Sequence, residues 1–417
     1  MLFARLLGEV IREGDLTVID AGGAIHRIGR PGPRPAVTIR LHDRSLHYRL
    51  FFNPRLGIGE AFMDGSLTVE NGTIYDFLDL IGLNTGSGTA GSFDRWVMRS
   101  RMLWRRVSLL NSPRSARRNV SHHYDLTGTL YDLFLDNDRQ YSCAYFVTDN
   151  DSLEVAQDNK KLHLAAKLLL QPGQKVRDIG SGWGGLGLYL SRIADVDVTG
   201  VTLSVEQQKV SEERALQAGL GNRTRFLLRD YREVTGQFDR IVSVGMFEHV
   251  GLPQYETFFR KVSELLAEDG VALVHFICHM DPPYPTNPWL QKYIFPGGYS
   301  PALSEVLPAI ERSGLWVTDI EVLRLHYAET LRQWRERFTA NWTEAAKLYD
   351  ERFCRMWEFY LAGCEMTFRR QGHMIAQIQL SKSVDAVPLT RDYIVDWERA
   401  HSHAPSQPKA AQAAYAK

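Results

Sequence analysis

KVRDIGSGWGGLGLYL, residues 175–190, is the stretch from which the rest of the chain is read. A short apolar run enters a cluster of five glycines, Gly180, Gly182, Gly184, Gly185 and Gly187, and a helical pattern leaves it. Strand, glycine turn and helix together make the first βα unit of a nucleotide-binding α/β fold. Glycine is suited to such a turn because positive φ is open to it and its backbone N–H groups can approach a ligand closely. GSGWGG also satisfies the dinucleotide pattern G-x-G-x-x-G, a weak signal on its own.

Asp178, two residues before the first glycine, sharpens the reading. The run D-x-G-x-G-x-G resembles the first motif of S-adenosylmethionine-dependent methyltransferases, where the acid supports the amino-acid end of the cofactor. A carboxylate attracts an ammonium and a sulfonium and repels a pyrophosphate. S-adenosylmethionine is therefore preferred over a dinucleotide.

A chain of 417 residues exceeds one ordinary core, so two domains are expected. Hydrophobic content of 44% and charged content of 24% are those of a globular protein. Lysine plus arginine and aspartate plus glutamate both number 49, so global charge does not point to nucleic acid. The four cysteines, Cys143, Cys278, Cys354 and Cys364, form no C-x-x-C pair and suggest neither a disulfide framework nor a zinc site. A reducing, cytoplasmic compartment follows, with no metal expected. No apolar run reaches the ~18 residues of a membrane span. The opening MLFARLLGEVIREGDL, with Arg5, Glu9 and Arg12, reads as an amphipathic helix and not as a signal peptide.

Residues 1–83 read as a small α/β unit for lipid binding, orientation or dimerisation, and a homodimer is the expected assembly. Val37, Ile39 and Leu41 alternate with polar residues, as do Leu46, Tyr48 and Leu50, so both segments are expected as strands. Leu67–Val69 reads as a third strand, followed by a helix near Ile74–Ile81. Residues 84–118 combine a flexible joint, NTGSGTAGS, with a run of eight arginines and no acid from Arg95 to Arg118. Leu103, Val107 and Leu110 share one helical face there, which suits a basic amphipathic helix on an anionic membrane surface. A helix packed on the next domain is the alternative reading.

From residue 119 to about 398 strands and helices alternate. Strands are expected at Val176–Ile179, Val196–Val201, Thr224–Arg229, Asp239–Val244, Val271–Ile277, Trp316–Leu325 and Met374–Leu380, with a long helical insertion at Ala328–Arg370. Seven mostly parallel strands make a Rossmann-like methyltransferase sheet, with chemistry at the strands' carboxyl ends. Residues 399–417, polar and alanine-rich, read as a disordered tail.

Candidate site residues follow the strand ends. Thr202 and Gln207 could serve ribose hydroxyls, although nearby Ser204 could equally be only a helix cap. Asp230, Tyr231 and Arg232 stand where an adenine would lie, and an exposed loop with an ordinary tyrosine fits their position as well. Glu248, His275 and Tyr327 follow the fourth, fifth and sixth strands, and Cys143 lies in a lead-in segment that could close over the cofactor. His275-x-x-Cys278-His279 is a poor metal site, because a strand scatters adjacent side chains.

RNVSHHYDLTGTLYDLFLDNDRQYSCAYF, VRDIGSGWGGLGLYL, VTGVTLSVEQ, FDRIVSVGMFEHVG and NPWLQKYIFPGGYSPALSEV together resemble the cyclopropane-fatty-acyl-phospholipid synthases, and with them the mycolic acid cyclopropane synthases and methyltransferases. The resemblance runs from about Asn119 to Trp397. It implies methylene transfer from S-adenosylmethionine to a cis double bond of an unsaturated acyl chain in membrane phospholipid, by a protein peripheral on the inner face of the cell membrane. It further implies cofactor contacts from Tyr141, Ser142, the loop of Gly180, Gly182 and Gly184, Thr202, Gln207, Tyr231 and Arg232. A bicarbonate ion is implied at Cys143, Glu248, His275, Ile277 and Tyr327. Its oxygens would accept from His275, Tyr327 and a backbone N–H, and its hydroxyl would donate to Glu248.

Transfer to an alkene leaves a carbocation, which anions and aromatic faces stabilise, and ring closure needs a base for one proton. Three positions depart from the family pattern. Ser181 replaces a cysteine, and Phe276 and Cys278 enlarge a H-T-I-G run beside the base, where their bulk is expected to reshape the acyl pocket. A methyl- or methylene-branched product is the same-fold alternative. A non-catalytic lipid-binding protein is the alternative of another class, opposed by the presence of Asp178, Glu248, His275 and Tyr327.

Overall fold

The computed structural model describes residues 2–32, 36–85 and 128–402. The arginine run, His122–Asp125 and most of the expected joint and tail lie outside these residues. An N-terminal four-stranded sheet has the order β2-β1-β3-β4, from β1 (Gly14–Ile19), β2 (Ile25–Arg30), β3 (Val37–Leu41) and β4 (Leu67–Asn71). Alternating burial along β1 and β3 turns Leu16, Val18, Val37, Ile39 and Leu41 onto one core. The opening helix, Leu2–Val10, adds Phe3 and Leu7 to that core.

Leu46–Phe52 is a helix and not the expected strand. Leu46 and Leu50 are buried, while Tyr48 between them is exposed. A spacing of four fits both periods, and the outward Tyr48 shows that the helical one holds. Strands β1 and β2 were not anticipated; in β2 only Ile28 is buried, so it has no apolar alternation to read. Asn84, expected to open a joint, instead ends the helix Ile74–Asn84, and its side chain accepts from the N–H groups of Arg12 and Glu13.

The second sheet has seven strands: β5 (Lys175–Ile179), β6 (Asp197–Thr202), β7 (Thr224–Leu228), β8 (Phe238–Val244), β9 (Leu266–His279), β10 (Trp316–Leu323) and β11 (His373–Ser381). Their order is β10-β11-β9-β8-β5-β6-β7, and β11 alone runs antiparallel to its neighbours. β5 and β11 are buried almost throughout, as strands covered on both faces must be. The strand order reverses beside β5, so a crevice opens at the carboxyl ends of β5 and β8.

The expected insertion is three helices, His326–Ala340, Trp342–Leu348 and Glu351–Arg370. The last of them adds Ala362 and Met366 to the core of the N-terminal sheet. Around it the two regions are tied by Asp79 to Arg370 at 2.6 Å, Asp64 to Arg352 at 2.8 Å and Glu60 to Lys292 at 2.6 Å. At the other end the helix Asp392–His401 continues past Arg399, where the tail was expected to begin.

Candidate active site

The turn after β5 takes the shape its glycines allow: Gly180 has φ +86° and Gly182 φ +51°. A Cβ at Gly180 would also lie 2.7 Å from the Met246 side chain, so any other residue is excluded there twice over. The turn floors a cavity of about 1180 Å³, its open mouth included. Tyr141, Ser142, Asp178, Gly180, Gly182, Thr202, Gln207, Asp230, Tyr231 and Arg232 all line it. Gly184 does not. It caps the helix Gly185–Ala194 at φ +81° and packs against Ser211 and Phe226.

Asp178 is buried, and its Oδ2 meets no hydrogen-bond partner among the described residues. Burial pushes its carboxyl up to about 7, against the pull of Arg177 and Lys160. A buried, unpaired carboxylate oxygen at a cavity wall fits a cationic ligand group. On the second strand end Thr202 donates to Gln207 Oε1 at 2.8 Å, and Ser204 Oγ caps the helix by accepting from the Gln207 N–H. Asp230 is buried and accepts from Arg232 Nε at 2.8 Å and Nη2 at 2.6 Å. Tyr231 packs edge-on against Phe258 and is not an exposed loop residue.

The lead-in segment is held from beneath by a residue the sequence did not single out. Lys160, fully buried in the helix Leu153–Lys167, donates to Gln140 Oε1 at 2.6 Å and to Ser142 Oγ at 2.9 Å. Burial lowers its ammonium to about 8, with Asp136 opposing. Gln157 donates to the carbonyls of Gln140 and Ser142. The available signal was a polar stripe, Gln157, Lys160, His163 and Lys167, at helical spacing where an apolar one belongs. Tyr141 stacks on Trp334, and its hydroxyl lies 2.8 Å from that of Tyr360, another group not anticipated.

Cys143, Glu248, His275, Ile277 and Tyr327 do not line this cavity; they gather beside it. Cys143 adjoins the lining Ser142, and Glu248 lies between the lining Met246 and His249. Cys143, Tyr327 and Ile277 share an apolar cluster with Trp183, Trp334 and Trp357. Cys143 is buried with its Sγ 3.2 Å from the Ala144 carbonyl, and burial pushes its thiol up, away from the reactive thiolate. Glu248 Oε1 accepts from the Ile277 N–H at 2.7 Å, which clamps the loop after β8 to β9. The Ile277 N–H is thus engaged by the Glu248 carboxyl. Glu248 Oε2 and His275 Nε2 are buried and meet no partner among the described residues. Burial raises Glu248 to about 7, with the Ile277 N–H opposing, and drives His275 well below its usual range.

The enlarged residues of the H-T-I-G position do not face this site. Phe276 and Cys278 point to the opposite side of β9, into a core with Phe247, because side chains alternate along a strand. Their bulk fills that core and not the space beside His275, where it was expected. The donors and acceptors that are left suit an amphiprotic anion: an acceptor on Glu248 and a ring nitrogen on His275, beside aromatic walls.

Residues 111–378 match the family model described as mycolic acid cyclopropane synthetase. The chain is 38% identical over 354 residues to the cyclopropane-fatty-acyl-phospholipid synthase of Escherichia coli (strain K12), covering 85% of this chain and 90% of that protein. It is 36% identical over 387 residues to the tuberculostearic acid methyltransferase UfaA1 of Mycobacterium tuberculosis (strain ATCC 25618 / H37Rv), covering 88% of this chain and 87% of that one. The crystal structure of mycolic acid cyclopropane synthase CmaA1 complexed with SAH and CTAB matches with a TM-score of 0.60 at 35% identity, over 63% of this chain and 97% of that chain.

Proposed function

The chain belongs to the mycolic acid cyclopropane synthetase family of S-adenosylmethionine-dependent enzymes, and from that premise we propose that it cyclopropanates unsaturated acyl chains of membrane phospholipid. The observation that carries the reading is the pair Glu248 Oε2 and His275 Nε2, buried without a partner among the described residues and next to the cavity. Bound S-adenosylmethionine supplies an electrophilic methyl, and bound bicarbonate supplies the base that removes a proton as the ring closes.

The protein's own residues bind, orient and exclude water. Asp178 receives the ammonium of the cofactor, while Thr202, Gln207, Asp230, Tyr231 and Arg232 line its nucleoside end. Lys160, through Gln140 and Ser142, fixes the lead-in segment over the cavity. Glu248 accepts the hydroxyl of bicarbonate, and His275 and Tyr327 donate to its oxygens. Cys143 and Ile277 complete the pocket. Tyr141 and Trp183, aromatic residues that line the cavity, would stabilise positive charge on the substrate where water is excluded. At a membrane, the arginine run Arg95–Arg118 would meet anionic headgroups. No helix among the described residues is long and apolar enough to cross a bilayer.

A second reading, a methyl- or methylene-branched product, is favoured by the 36% identity to a relative named as a tuberculostearic acid methyltransferase. Expression in a host lacking such an enzyme, followed by analysis of its lipids, separates the two. Ring and methylene products have equal mass, so the proton NMR of the ring decides. Phospholipid without ring protons, but with branched chains, would replace the first reading by the second.

A further inference from the structure

His275 holds one ring nitrogen, Nε2, with no partner among the described residues, and what it can do there depends on which nitrogen bears the proton. Gln377 of β11 stands directly opposite His275 of β9 in the sheet register, and its Nε2 lies 3.2 Å from His275 Nδ1. Both residues are buried. A side-chain amide could in principle present either end to the ring. Here the choice is fixed from behind, because Lys167 Nζ, a pure donor, gives a 2.8 Å hydrogen bond to Gln377 Oε1. The amide oxygen is thus committed to the lysine, and the amide NH2, which can only donate, faces the imidazole. Nδ1 must then be the acceptor.

We propose that Lys167 and Gln377 set the tautomer of His275: Gln377 is a positioning residue that leaves the proton on Nε2 and makes the imidazole a neutral hydrogen-bond donor toward the reacting centre.

Lys167 is itself anchored. It pairs with Glu321, and its backbone carbonyl accepts from Gln379 Nε2 at 2.6 Å. His163 adds a 2.7 Å contact to the same Glu321. His163 and Lys167 hold the Glu321 carboxyl well below the usual carboxylate range despite its burial, so the anion that keeps Lys167 in place persists. The charged groups acting on His275 are Lys160, Lys167 and His163, all from the helix Leu153–Lys167. The neighbouring strands contribute the uncharged Val244 and Gln377. Burial, with Lys160, Lys167 and His163 nearby, disfavours a second proton on the ring in the parent protein. As a neutral donor, His275 cannot be the base at Nε2, which leaves Glu248 as the acceptor. The role at the reacting centre rests on the proposed function; the tautomer does not.

The test uses full-length protein carrying 15N-histidine, without cofactor or bicarbonate, with the His275 signals assigned by their loss in His275→Ala. The expected spectrum has a protonated Nε2 and a bare Nδ1. Gln377→Glu is nearly isosteric, but its carboxylate accepts from both Lys167 and the ring, so the proton should move to Nδ1. Activity at pH 8 should fall on the order of 10²-fold, as for loss of one donor at a reacting centre. It should recover toward acid pH, where the introduced carboxylate lets the ring take a second proton and regain its Nε2–H, with the KM for S-adenosylmethionine unchanged. Should Gln377→Glu not fold, Gln377→Leu removes the amide and should give a mixture of tautomers. A protonated Nδ1 in the parent protein, or a Gln377→Leu spectrum identical to the parent, overturns the assignment. A Gln377→Glu enzyme with the parent pH profile overturns the positioning role. Failure of the bicarbonate reading would leave the spectrum untouched, so the two failures are distinguishable.

Discussion

Asp178→Asn should stabilise the protein while disabling it. The carboxyl of Asp178 is buried, with one oxygen that meets no partner among the described residues, and burial raises its pKa from 3.8 to about 7. Three units at 1.36 kcal/mol each give about 4 kcal/mol as the upper limit of the ionisation penalty in the free protein. The sign follows from proton binding. Between pH 4 and 7 the folded state holds this proton more tightly than the unfolded state, so stability falls as pH rises through that window. The penalty is complete above pH 7 and absent near pH 4. Asparagine has the same shape and never ionises. Differential scanning calorimetry of the cofactor-free variant should show a melting temperature higher than the parent's at pH 8, by at most about 5 °C for a chain of 417 residues. The gain should shrink at pH 6 and vanish near pH 4. Calorimetric titration should show S-adenosylhomocysteine binding weakened by ~1.5–3 kcal/mol, the worth of one charge-assisted contact. A pH-independent difference in melting temperature, or a variant less stable than the parent at pH 8, would mean that the carboxylate is already paired. Unchanged S-adenosylhomocysteine binding would remove Asp178 from the cofactor site.

Glu248→Gln should keep cofactor binding and lose most of the rate, because an amide is a poorer acceptor for a bicarbonate hydroxyl. Activity of the parent should drop in degassed buffer and return with added bicarbonate; a rate indifferent to both would displace the proposed base. Lys160→Met should destabilise the lead-in segment by ~1–3 kcal/mol per buried polar partner left unmet and weaken S-adenosylhomocysteine binding, read by calorimetry. Phe276→Thr should lower the melting temperature by opening a cavity in the core beside Phe247, yet leave the lipid product unchanged; an altered product would put that side chain back in the acyl pocket. Replacing Arg101, Arg105 and Arg106 by glutamate should reduce salt-sensitive sedimentation with anionic vesicles, and unchanged sedimentation would remove the arginine run from membrane contact.

Local chemistry is what the chain declared on its own. A strand, five glycines and a helix within residues 175–190 fold that way because positive φ and short-range periodicity act over a few residues, and Asp178 came with them. The strands of the seven-stranded sheet were legible as apolar runs for the same reason. Tyr48 shows the limit, since two leucines four apart satisfy strand and helix alike until burial separates them. Facing directions were harder still. Phe276 looked like a pocket residue beside His275 in sequence and is on the opposite side of the sheet. The polar web around the site was beyond local reading altogether. Gln377 lies 102 residues from His275 and 210 from Lys167, and only the pairing of β9 with β11 and the packing of the helix Leu153–Lys167 against the sheet bring the three together. A glycine turn is specified by its own backbone, whereas the protonation state of a buried imidazole is specified by whatever the assembled sheet places against it.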